Sequence, residues 1–217
     1  ITHELAIALY DIMYQMLSQL FTDPISFLFW AIGLIAAITI HEFAHALTAD
    51  RLGDPTPRLQ GRLTLNPLAH LDPIGTLMLL LTRFGWGKPV QFDPFNLQNP
   101  RRDSAIISLA GPVSNLTTAL LAAGIIRLFP LSGLILLPLI FLSVALAIFN
   151  LIPIHPLDGG KIITGLLPAD LAAEWDQILN QYGLIILILL ILPISGTSPV
   201  SALLTPIISF ILKLLLP

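Results

Sequence analysis

His41-Glu42-Phe43-Ala44-His45 sets two imidazoles four residues apart, with a carboxylate beside the first. On a helix, positions i and i+4 share one face a turn apart, so both rings can bind one zinc ion. Glu42 lies next to that face, where it can take a proton from a metal-activated water. A catalytic zinc usually has three protein ligands and an open position for water, so a third ligand is required. The other histidines are His3, His70 and His155, and most other carboxylates sit in loops. Asp158 is the best placed, in the run Asn150-Leu-Ile-Pro-Ile-His-Pro-Leu-Asp-Gly-Gly that follows a long apolar segment. Gly159 and Gly160 permit a close backbone approach and a sharp turn into a short helix. Asp158 suits the N-cap of that helix equally well, and the two roles are compatible. The expected cofactor is one Zn2+ per chain.

The elements that must carry these residues are membrane helices. Of 217 residues 55% are hydrophobic and 11% charged, and the mean hydropathy is +0.87. Chains this apolar are not disordered. A net charge of -3 argues against a nucleic-acid partner, and the absence of cysteine removes disulfides and thiolate chemistry. Apolar runs long enough to enter a bilayer cover about residues 25–50, 104–129, 131–152, 178–194 and 200–216. A shorter run, 74–82, cannot cross alone and reads as a re-entrant dip. Residues 1–20 carry apolar side chains at spacings of three and four, the pattern of an amphipathic interfacial helix. They lack the basic start and cleavage site of a signal peptide, and without an initiator Met the chain reads as trimmed.

Seven of the ten basic residues (Arg51, Arg58, Arg62, Arg83, Lys88, Arg101 and Arg102) fall between the first span and the one near residue 104. Positive residues favour the cytoplasmic side, so both the motif and Asp158 are expected at that face. Residues 58–65, Arg-Leu-Gln-Gly-Arg-Leu-Thr-Leu, alternate strictly between polar and apolar, which predicts a strand. Its edge, presenting Arg58, Gln60, Arg62 and Thr64, is expected to bind an unwound substrate by backbone pairing. The expected fold is therefore an all-α polytopic membrane protein. It is a bundle of about four to six transmembrane helices, with a small membrane-associated β-hairpin after the metal helix. In domain terms, 1–22 form the interfacial helix and 23–217 a single core. Within that core, hairpin and re-entrant region span about 54–102, the Leu-Asp-Gly turn 157–160, and the C-terminal helices 178–216.

Asn115 and Asn150 are neutral amides in apolar spans, able to donate to a developing oxyanion or to bond a neighbouring helix. His155 reads as a satisfied surface or core residue. His70, among Asn66, Pro67, Asp72 and Pro73, reads as turn chemistry.

Together, the His-Glu-x-x-His helix and the distant Leu157-Asp158-Gly159 turn resemble the site-2 protease family of intramembrane zinc metalloproteases, over about residues 25–165. The resemblance implies His41, His45 and Asp158 as zinc ligands and Glu42 as general base. Asn150 matches the family's Asn-x-x-Pro-x-x-x-Leu-Asp-Gly pattern and is implied in substrate or transition-state binding, and Gly111-Pro112-Val113-Ser114-Asn115 resembles a middle-span element. It implies an intramembrane zinc endopeptidase in a prokaryotic cell membrane, with the bilayer and transmembrane protein substrates as partners and the oligomeric state open. There is no room here for the PDZ or cystathionine-synthase-type domains of larger members, so a compact one is expected. A transporter or metal-handling protein using the same cluster as a transit site is the alternative, and a silent scaffold fits poorly with an intact Glu42.

Overall fold

The computed structural model describes residues 22–82, 86–192 and 197–216; the interfacial helix expected over 1–20 lies outside them. Eight α-helices follow in order among these residues: α1 (Pro24–Arg51), α2 (Thr56–Leu59), α3 (Pro73–Thr82), α4 (Pro100–Leu128), α5 (Gly133–Asn150), α6 (Asp158–Leu166), α7 (Ala169–Ile191) and α8 (Pro199–Leu215).

Three of them, α1, α4 and α5 with its leading turn (Pro130–Asn150), are long and apolar enough to cross a membrane. This is fewer than the four to six expected. The first two turns of α7 carry Asp170, Glu174 and Asp176, which leaves only its second half apolar. The last helix is apolar but has 17 residues, and α3 has 10, short of the roughly 20 a span needs.

The bundle is built on α4, which packs against α1, α5 and α6, while α8 lies against α5. Its interior is lined by small residues. Ala37, Ala46, Ala119, Ala122, Ala123, Ala145 and Ala147 are buried, whereas Leu109, Leu120, Leu121, Leu134 and Ile135 face outward. At the α1–α5 crossing, a side chain on Gly33 would press into the backbone of Pro138 and Leu139. Small residues let helix backbones approach closely, and the large apolar ones are left for lipid. Val200, Leu204, Ile208 and Leu212 of α8 fall four apart and close the core over α4 and α5.

There is no β-hairpin among the described residues; the alternation at 58–65 misleads. The end of α1 is a left-handed turn, with Gly53 at φ 106 and the amides of Gly53 and Asp54 returning to Asp50 and Ala49. Asp54 then accepts from the amide and hydroxyl of Thr56, with prolines at 55 and 57, and these start the single helical turn α2. Gly61, at φ 69, ends it. Local capping outweighs the two-residue period. Among the described residues of this region, the pairing of strand type is an isolated antiparallel bridge, Leu71 with Gly87.

Candidate metal centre

His41 and His45 sit on the face of α1 that meets α4, buried at 4% and 7% exposure. Their rings are 4.6 Å apart and nearly perpendicular. What makes room for them is Gly111 on α4: a Cβ there would lie 2.4 Å from His45 Nε2 and 2.6 Å from His41 Nε2. One residue on, Pro112 lacks an amide proton, and its ring disturbs the ladder of carbonyls in the preceding turn. Five residues before Pro112, one beyond the Ser108 carbonyl that its missing N–H releases, the Ile107 carbonyl accepts from His45 Nδ1 at 2.7 Å. With its proton committed at Nδ1, His45 presents the Nε2 lone pair to the centre.

The third group arrives from 117 residues away. Gly165 of α6 packs against Ala105 and the Arg101 carbonyl of α4, and Gly159 lies against the Ile152 carbonyl, contacts no larger residue could make. This seats the start of α6 over the histidines. Asp158 occupies the first helical position rather than the cap, and its Oδ2 lies 3.1 Å from His41 Nε2 and 3.3 Å from His45 Nε2. Burial disfavours its charge, but the two imidazoles hold the carboxyl well below the usual carboxylate range.

These three ligand atoms lie within 4.8 Å of one another. A tetrahedral zinc with bonds near 2.0–2.1 Å sets its ligand atoms about 3.3 Å apart, so the donor set fits that ion. Asn115 supplies a second test. It is fully buried on α4, with Nδ2 3.2 Å from His41 Nδ1 and Oδ1 without a partner. A half-turn of the amide lets Oδ1 accept from Nδ1–H, which frees Nε2 of His41 as a ligand.

Glu42 is half-buried beside this cluster, and its Oε2 accepts the backbone N–H of Val90 at 2.8 Å. Val90 belongs to a connecting strap held down at both ends. Asp54, fully buried, accepts from Asp93 N at 2.7 Å and Asn96 Nδ2 at 2.8 Å. At the other end, Arg62 donates to the carbonyls of Lys88 and Pro89, each at 3.3 Å, and to that of Ala69. Phe92 lies under Lys161 of α6, with Nζ 4.4 Å from the ring centroid.

The other sequence-expected residues are placed elsewhere. Asn150 donates to the Leu146 carbonyl of its own helix at 3.0 Å, a bond that does not reach the histidines. Arg58 pairs with Asp50. Thr64 Oγ1 accepts from Asn66 N, and Gln60 is exposed beside Arg62, Lys88, Pro89 and Gln91 around a cavity of about 360 Å³. His155 is 3.1 Å from Asp176 on α7, and buried His70 bonds the Thr64 carbonyl. Sequence reasoning placed Gly111 in a middle-span element and Arg62 on a strand edge without assigning either a part in building the metal site, and it missed Val90. The first had a signal, since a Gly-Pro pair inside an apolar span weakens the helix. Val90 acts through its backbone amide, which residue types do not reveal.

Comparison with known proteins bears on the family of the chain. Peptidase family M50 matches residues 132–190. The chain is 38% identical over 187 residues to the "Putative zinc metalloprotease YwhC" of Bacillus subtilis (strain 168), covering 80% of this chain and 85% of that protein. The chain belongs to peptidase family M50, the site-2 proteases. Two proteins named "Putative zinc metalloprotease Rip2" are also similar. That of Mycolicibacterium smegmatis (strain ATCC 700084 / mc(2)155) is 38% identical, covering 74% of this chain and 66% of its own length. That of Mycobacterium tuberculosis (strain ATCC 25618 / H37Rv) is 33% identical, covering 74% and 65%. The chain therefore spans just under two thirds of the mycobacterial relatives. No solved structure matches. As a member of M50 the protein is a membrane-embedded zinc metalloendopeptidase, with His41, His45 and Asp158 able to form the metal site.

Proposed function

We propose that this M50 protease hydrolyses peptide bonds of transmembrane protein substrates within or at the cytoplasmic face of a bacterial membrane. The observation that carries this reading is the position of the His-His-Asp cluster. His41 lies ten residues before α1 ends at Arg51, about 15 Å of helix, so the cluster sits inside a span rather than in a loop. The seven basic residues from Arg51, at the end of α1, to Arg102, at the start of α4, support the cytoplasmic orientation.

Zinc held by His41, His45 and Asp158 would polarise the scissile carbonyl and lower the pKa of a water towards about 7. In this reading, Glu42 Oε accepts the proton of the attacking water and returns it to the leaving amine. Asn115 fixes the His41 ring and its tautomer. Asn150, at the end of α5, becomes a donor to substrate when its amide leaves the Leu146 carbonyl. The polar cavity beside Gln60 and Gln91 receives the hydrated flank of the substrate. A helical substrate hides its carbonyls in i to i−4 bonds, so spans weakened by Gly or Pro are favoured.

The test is a panel of purified single-span membrane proteins with and without Gly or Pro in the span, reconstituted with the protease and analysed by mass spectrometry. Wild type should cleave within or at the edge of the span and carry one zinc per chain. Glu42→Gln should keep the zinc and lose about 10²–10⁴-fold in rate. Wild type without stoichiometric zinc, or cleavage confined to soluble segments, would sink the proposal.

A further inference from the structure

Arg62 is 5% exposed, and among the described residues it has no acidic partner. A buried guanidinium without a counter-ion is costly, and among the described residues carbonyl oxygens compensate it. They come from two segments: Ala69 on one side, Lys88 and Pro89 on the other.

The Pro89 carbonyl and the Val90 amide are two ends of one planar peptide unit. Its oxygen accepts from Arg62 Nη2 at 3.3 Å, and its N–H donates to Glu42 Oε2 at 2.8 Å. A cation at the oxygen polarises the amide and strengthens what its N–H gives to the carboxylate. The same contact fixes the plane of the peptide, and so the direction of the N–H.

We infer that Arg62 is a positioning residue for Glu42, acting through the Pro89–Val90 peptide that bridges its guanidinium to the Glu42 carboxylate. This rests on the reading of Glu42 as the base. Asp54 anchors the far end of the strap, at Asp93 and Asn96, so the two buried charges hold the segment from both sides. Arg62 lies outside the metal cluster, and because it also borders the cavity beside Gln60 and Gln91, the split between kcat and KM separates positioning from substrate contact. Arg62 sets where the carboxylate stands, and displacements of about 1 Å in a reacting group can cost 10²-fold in rate.

The experiment uses full-length protein in detergent with the best-cleaved member of the single-span panel, and rates are normalised to bound zinc. Arg62→Met should keep one zinc per chain, lower kcat about 10–100-fold and leave KM within about twofold. Arg62→Lys, which keeps the charge but cannot fork to both segments, should fall between. Val90→Pro deletes the bridging N–H, and in that background Arg62→Met should cost less than about twofold more, because the route is already cut. A loss that multiplies fully in the Val90→Pro background, a loss carried by KM, or a zinc-loaded Arg62→Met with wild-type kcat overturns the inference. Should Arg62→Met fail to load zinc, Arg62→Lys decides: a reduced kcat at full loading supports the inference and a wild-type kcat overturns it. A wild type that cleaves no member of the panel refutes the proposed function instead, so the two failures are told apart.

Discussion

At the scale of single residues, the metal centre depends on an absence. Gly111 contributes no atom to the cluster, yet any side chain there would occupy the space between the two imidazoles. Gly111→Ala should therefore lower zinc affinity by at least 10–100-fold, measured by chelator competition, because the rings must separate or tilt. Gly124, about three and a half turns further along the same helix, has nothing within 4 Å of its would-be Cβ. There the helix propensity of alanine acts alone, so Gly124→Ala should keep zinc affinity and raise stability by about 0.5–1 kcal/mol. If both substitutions leave zinc binding unchanged, the centre is not built against α4. The histidine pair was legible in the sequence because the i, i+4 relation is fixed by helix geometry. The carbonyl of Ile107 and the amide of Val90 were not, because every residue type carries those groups.

At the scale of elements, the connection between α1 and α4 depends on one buried carboxylate. Burial alone would raise the proton affinity of Asp54, but hydrogen bonds from Thr56, Asn96 and Asp93 hold the carboxyl below the usual carboxylate range. Its folded pKa thus lies below the unfolded value near 3.9. The stabilisation is fully present above that unfolded value and is lost as pH falls through the folded one. Asp54→Asn should cost about 2–3 kcal/mol at pH 7, and the gap to wild type should narrow below about pH 4, read by thermal unfolding across pH. A gap independent of pH would mean that the carboxylate charge does not hold the strap. The same aspartate explains why the strand expected at 58–65 instead begins in a helical turn, Thr56–Leu59, and continues as irregular backbone. Periodicity describes which face is apolar, but Asp54, two prolines and the left-handed Gly61 determine what the backbone can do. Caps override period when the segment is only one turn long.

At the scale of the whole molecule, small residues let the long helices of the bundle approach closely. Alanines and glycines lie where α1, α4 and α5 cross, Ile107, Ile140 and Leu142 fill core beside them, and many other leucines and isoleucines face outward. The number of spans was less legible than their existence, because α7 reads as apolar only after its acidic first turns, and prolines subdivide the C-terminal run. The packing itself gives a sharper test than hydropathy. Ala123 is fully buried on α4 and Leu121, on the same helix, is 65% exposed. Ala123→Leu should force α4 from its neighbours and cost about 1–3 kcal/mol, since a close-packed interface has no space for three added carbons. Leu121→Ala should cost well under 1 kcal/mol in a bilayer, because lipid tails are as apolar as the side chain they replace. Unfolding measured in the same lipid for both variants separates the two faces. A large cost at Leu121 would mean that protein, not lipid, covers this side of α4, and would place a second copy or a partner against the helix that carries Gly111.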